Sequence, residues 1–189
     1  IGNRVMREVR IDPAFVDDPV ISDYVTTLGN RLLGAADPPR RPIEFFVVQD
    51  DAVNAFALIG GHIGMHTGLI LLTRDESELA GVMAHEISHV ALRHATAQAT
   101  KQSGLGNQLG TIGLILGGAI LGGETGAQIG ALGVAAWQTK YSREYETQAD
   151  ILGARIMADA GYDPRDLANM FRTIEKQGGS RGPEWLSSH

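Results

Sequence analysis

The stretch from Val82 to Ser103 contains neither glycine nor proline, and near its start it carries His85, Glu86 and His89 as the string HEISH. A run of that length without a breaker reads as helix, and Thr73 with Glu76 supplies a T-x-x-E capping box ahead of it. On a helix the two histidines stand one turn and about 40° apart, so both imidazoles can reach one metal ion. Glu86 falls on the flank of that face, placed to touch a metal-bound water without ligating the metal. Glu78, Arg93 and Thr96 extend the polar stripe, and Leu79, Met83, Ile87 and Val90 form the opposite side, which predicts a helix buried behind its ligands.

Any further ligand must come from elsewhere in the chain. Cysteine is absent, so histidine and carboxylate have to hold the metal. On a continuous helix His94 points roughly 140° to 180° away from the other two histidines. It is read as a histidine hydrogen-bonded in or near the core. The H-E-x-x-H-x-x-G-x-x-H pattern is excluded, because Leu92 and Ala95 stand where its glycine and third histidine belong. The best candidate is the stretch EYETQAD, in which Glu146 and Asp150 share one helical face with Arg143 beside them. Glu146 could complete a set of two histidines and one carboxylate and leave the fourth position to water, as a catalytic site requires. Asp150 could accept the free N–H of a ligating imidazole and set its tautomer. The alternative for this cluster is a solvated set of charges paired at i,i+4.

The remaining sequence predicts an α+β, mainly helical fold. Residues 1–189 are most simply one domain, and a 43% hydrophobic composition suffices for a core. Asp18 and Pro19 start a helix with Val20, Tyr24, Leu28 and Leu32 at helical spacing; IEFFVVQ reads as a strand. NAFALIGGHIGMHTGLI reads as a second strand, a Gly-Gly turn and a third short strand with His62, Gly64 and His66 on one face. YSREYETQADILGARIMADAG is a helix ended by Gly161, and a last helix runs from Asp163 and Pro164 to Gly178. The Gly/Ala-rich segment from Gly104 to Trp137 reads as two small-residue helices packed in or over the core, with a membrane-surface contact as the alternative; its densest apolar part, Ile112 to Leu121, is too short to span a bilayer. A net charge of −6 argues against a nucleic-acid partner. Lack of cysteine fits an oxidising compartment and a cytosol alike. The chain begins without an initiator Met or a signal-like apolar run, and both ends read as cut from something longer.

The motifs NAFALIGG, HEISHVALRH, YSREYETQADILGARIMADAGYDP and the terminal SSH, in this order, resemble the zinc metalloendopeptidase family that includes HtpX, BepA and the CaaX prenyl proteases. The resemblance runs from about Ile43 to His189 and is nearest to the soluble BepA-like branch of bacterial periplasms. It implies a thermolysin-like (gluzincin) fold with one zinc per chain, held by His85, His89 and Glu146. It further implies Glu86 as the catalytic carboxylate, Asp150 as the partner of a ligand, and misfolded or membrane-associated envelope proteins as substrates. An S/T-H-P motif commonly follows in the family; this sequence stops at its histidine. The tetratricopeptide repeats of some BepA-like members do not occur in it.

In such a site Glu86 is expected to take the proton of the nucleophilic water and hand it to the leaving amine. Arg143, Tyr145 and His66 are the candidates for steadying the oxyanion. The strand His62–His66 could offer an edge on which an extended peptide lies; the plainer reading makes His62 and His66 surface residues of that strand. His189 stands on the tail GGSRGPEWLSSH, which could fold back, anchored by Trp185, to occupy the fourth zinc position. Possible partners beyond substrate are a membrane surface or outer-membrane proteins. The rival reading is a chaperone or binding protein in which zinc only staples helices together.

Overall fold

Asp18 starts the helix that its sequence predicts. Its carboxylate accepts from the amides of Val20 and Ile21, and Pro19 occupies the first turn, where a missing N–H is not needed. The computed structural model that shows this describes residues 2–36, 42–58, 60–94 and 141–177. The Gly/Ala-rich segment 104–137, Thr96, Gly178 and the tail with Trp185 and His189 lie outside the described residues. Described are α1 (Gly2–Ile11), α2 (Pro19–Ala35), β1 (Glu44–Val48), β2 (Ala55–Leu58), β3 (His62–His66), α3 (Thr67–Leu72), α4 (Glu76–Ala91), α5 (Arg143–Asp159) and α6 (Arg165–Gln177). The protein is thus mainly helical with a small three-stranded sheet.

The buried face of α2 is Val25, Leu28, Gly29 and Leu32, whereas Val20 and Tyr24 stay exposed. Gly29 is where α2 meets the sheet: a Cβ there would come within 2.3 Å of the Phe45 ring. Strand order is β1-β3-β2, with β1 parallel and β2 antiparallel to β3. Gly60 and Gly61 make the turn between β2 and β3 at φ of 109° and 86°. Phe45, Val47, Ala55, Ile63 and Met65 face the main core formed with α2, α4, α5 and α6. On the other face Phe46 and Leu58 pack against Met6 of α1, with Phe15 and Phe56 beside them.

This arrangement corrects the reading of β3 as an edge. It is the central strand, all five of its residues are buried, and His62 and His66 are 6% and 2% exposed instead of lying on the surface. Strand position depends on pairing partners distant in sequence, and alternation alone does not reveal it. The C-terminal end of β1 is covered on its outer side by residues 14–16, through Val16 N–H to Val47 O at 3.0 Å and Gln49 N–H to Ala14 O at 2.7 Å. Among the described residues β2 pairs with β3 alone.

The start of α4 is also corrected. Asp75 is its N-cap, accepting from the Glu78 amide at 3.0 Å, while the Thr73 hydroxyl turns back to Ile70 O and closes α3. Glu78 belongs to no solvated stripe. It is fully buried, accepts from the guanidinium and amide of Arg74, and meets Thr173 of α6 at 3.3 Å. Burial pushes its carboxyl up, but the Arg74 hydrogen bonds outweigh that and hold it below the usual range. Every residue from Glu78 to His89 is buried, so α4 is the central helix of the fold. It ends at Ala91, well short of Ser103, because Arg93 adopts a left-handed φ of 56°. The end of α5 is as predicted: Gly161 at φ 86° closes it, with Tyr162 N–H bonding Met157 O at 2.9 Å.

Candidate metal centre

Three side chains from two helices converge. His85 and His89 project from one face of α4, and Glu146 comes from the first turn of α5, whose N-cap is Ser142. The two imidazole Nε2 atoms are 3.0 Å apart; His85 Nε2 lies 3.3 Å from Glu146 Oε2, and His89 Nε2 lies 3.4 Å from Glu146 Oε1. Ligand atoms about 2.0–2.2 Å from a tetrahedral zinc stand roughly 3.3–3.5 Å from one another. Both histidine–carboxylate separations fall in that range and the imidazole pair is slightly closer, so this donor set fits such an ion. Both histidines are almost wholly buried and Glu146 is 13% exposed.

Further side chains stand behind these three. Asp150 Oδ1 is 3.0 Å from His85 Nδ1, the position anticipated for it one turn beyond Glu146. Burial opposes charge on the His85 imidazole. The hydrogen bonds of Asp150 and Glu146, with the charges of Glu86 and Glu146, prevail and raise it to about 9. Glu86, the residue after His85, is 1% exposed.

His94 is buried, as expected, but for a different reason. Because α4 stops at Ala91, the left-handed Arg93 turns His94 back toward the site, where its Nδ1 lies 2.9 Å from His89 Nδ1. Its other nitrogen meets Gln148 Oε1 at 3.1 Å, and its ring lies flat on Tyr145 at 4.4 Å. Burial pushes this imidazole below its ordinary range, against the opposing pull of Gln148 and Glu146.

The oxyanion candidates separate in space. His66 lies on the sheet face away from α4, edge-on to Phe56 at 5.6 Å, so it is not brought to the three ligands. Tyr145 is buried against His94, and Arg143 is exposed at the start of α5. Sequence reasoning missed Tyr141, whose ring stacks on His89 at 4.2 Å, and Phe171 of α6, edge-on to His85 at 6.3 Å. An aromatic residue just before the cap of α5 was the available signal for the first; nothing local marks the second.

Close approach of α4 and α5 depends on Gly153, where a Cβ would lie 3.2 Å from His85 N and 3.3 Å from its Cα. These neighbours are helix backbone and cannot swing aside. Gly153→Ala should therefore force the helices apart, lowering stability by about 1–3 kcal/mol and weakening metal binding with it. Melting temperature and chelator competition check this; parental values in both would show that the helices have room.

A buried pair of histidines and a carboxylate, oriented by a second carboxylate on a mainly helical frame, is the arrangement of a metallopeptidase centre. Comparison with known proteins agrees. Residues 21–189 match the sequence signature of Peptidase family M48. The chain is 35% identical over 202 residues to the beta-barrel assembly-enhancing protease of Yersinia pestis, and 31% over 198 residues to that of Escherichia coli (strain K12). Both alignments cover all of this chain and 40% of the relative. It is 28% identical over 169 residues to metalloprotease LoiP of Escherichia coli (strain K12), covering 89% of this chain and 64% of that protein. The chain belongs to peptidase family M48, and it spans about two fifths of the length of its beta-barrel assembly-enhancing relatives. Among the described residues no helix is long and apolar enough to cross a membrane.

Proposed function

We propose that this chain is a zinc-dependent endopeptidase with a thermolysin-like site, in which His85, His89 and Glu146 hold one zinc ion and Glu86 is the catalytic carboxylate. The observation that carries this reading is the convergence, from two helices, of two imidazole Nε2 atoms 3.0 Å apart on the Glu146 carboxylate, one oxygen 3.3 Å from His85 and the other 3.4 Å from His89, with Glu86 beside the first histidine. When bound, zinc in an open site supplies a water of pKa about 7 and polarises the scissile carbonyl. The protein's own groups do the rest. Asp150 holds the Nδ1–H of His85, and Glu86 takes the proton from the water and returns it to the leaving amine. Arg143, exposed three residues before Glu146, is the oxyanion candidate that this reading adopts.

Of the two edge strands among the described residues, the one without an outer bridge is the edge that we assign to an extended polypeptide. That edge is β2, which packs against α4 and pairs with β3 on its other side; main-chain pairing there would read backbone in preference to side chains. The name of the relatives, beta-barrel assembly-enhancing protease, supports polypeptides connected with β-barrel assembly as substrates, and the reading extends to misfolded or membrane-associated proteins of a bacterial envelope. Purified protein should cleave an unfolded substrate such as casein, lose that activity to a chelator, and regain it on addition of zinc. Tight zinc binding without any hydrolysis would instead mark the ion as a staple between α4 and α5.

A further inference from the structure

The two histidines of α4 are held from behind in different ways. His85 Nδ1 faces a carboxylate oxygen, whereas His89 Nδ1 faces another imidazole nitrogen, His94 Nδ1, at 2.9 Å. Two ring nitrogens at that distance must share one hydrogen, since two N–H groups would collide and two lone pairs would repel. The residues beyond His94 decide which ring carries it. Glu144 Oε1 can only accept, so Gln148 Nε2, 3.4 Å away, donates to it. The amide oxygen of Gln148 is thereby the atom turned to His94 Nε2, and that nitrogen must donate. A neutral His94 with its hydrogen on Nε2 has a lone pair on Nδ1. The shared hydrogen then belongs to His89 Nδ1, and the Nε2 of His89 keeps the lone pair that faces His85 and Glu146.

We propose that His94 is a positioning residue for His89: through it, Gln148 and Glu144 fix His89 in the tautomer that presents an Nε2 lone pair to a metal ion. The proposal rests on the metal-centre reading above. Its geometry is over-determined. His94 is 2% exposed, is turned inward by the left-handed Arg93, and is clamped on Tyr145, while His89 itself is stacked on Tyr141. On this account α5 does three things with residues two apart. Glu146 ligates, Asp150 orients His85 directly, and Glu144 with Gln148 orients His89 through His94. The immediate partner of His89 is a neutral ring where His85 has a carboxylate, so His89 is the less electron-rich of the two imidazole ligands.

The test uses the zinc-loaded protein. Long-range nitrogen–proton NMR of the histidine rings should place hydrogen on Nδ1 of His89 and on Nε2 of His94. His94→Phe keeps a ring on Tyr145 but removes the acceptor, and should weaken zinc binding about ten- to a hundredfold in chelator competition. His94→Gln, whose amide oxygen can accept from His89, should recover most of that loss. Hydrogen found on Nδ1 of His94 overturns the proposal, as does parental zinc affinity in His94→Phe or an equal loss in both variants. In the zinc-free parent, where no metal holds His89 Nε2, the same hydrogen positions are expected, and that NMR result decides the matter even if a variant does not fold. A parent that binds no zinc would overturn the metal centre itself, an outcome distinct from any defect confined to His94.

Discussion

Glu86→Gln should leave zinc content and melting temperature at parental values while hydrolysis falls by about a hundred- to ten-thousandfold. The amide is close in shape to the carboxylate, so packing beside His85 in the interior of α4 is kept. It cannot accept the proton of the bound water, and without that acceptor the nucleophile is not generated at neutral pH. Zinc content by atomic absorption and rates on an unfolded protein substrate separate the two effects. Activity within about tenfold of the parent would remove Glu86 from the role of base.

Glu146→Ala should abolish stoichiometric zinc. It removes one of three protein donors, and it leaves His85 Nε2 and His89 Nε2 without the carboxylate that meets them at 3.3 and 3.4 Å. Asp150→Ala should act less severely, weakening zinc by about ten- to a hundredfold, because it touches the ion only through the orientation of His85. The ranking of the two variants matters more than either value. A dialysed Glu146→Ala protein with full zinc would mean that the third ligand lies elsewhere in the chain.

What could be read from the sequence depended on how local the determinant was. The face shared by His85 and His89, and that shared by Glu146 and Asp150, follow from the helical period alone, and both are present. Their meeting across two helices is not local; the need for a further ligand in a chain without cysteine makes Glu146 the best candidate, and the resemblance to a peptidase family implies the same residue. His94 shows the limit from the other side. A helix assumed to continue turns it away from the ligands, yet one arginine in a left-handed conformation, which has no signature in sequence, turns it onto His89. The start of α4 differs for a related reason. The sequence pattern points to Thr73 alone, but the shorter helix α3 takes that threonine and Asp75, two residues on, caps α4. The burial of His62 and His66 was illegible because α1 covers that sheet face and β1 and β2 flank the strand, all of which depends on chain pairing at a distance.

The central claim is that one zinc ion sits between α4 and α5, and anomalous scattering at the zinc absorption edge from crystals of the protein tests it most directly. The account predicts a single strong peak per chain within bonding distance of His85 Nε2, His89 Nε2 and a carboxylate oxygen of Glu146. A peak on other side chains, or none in zinc-grown crystals that are otherwise well ordered, would contradict it.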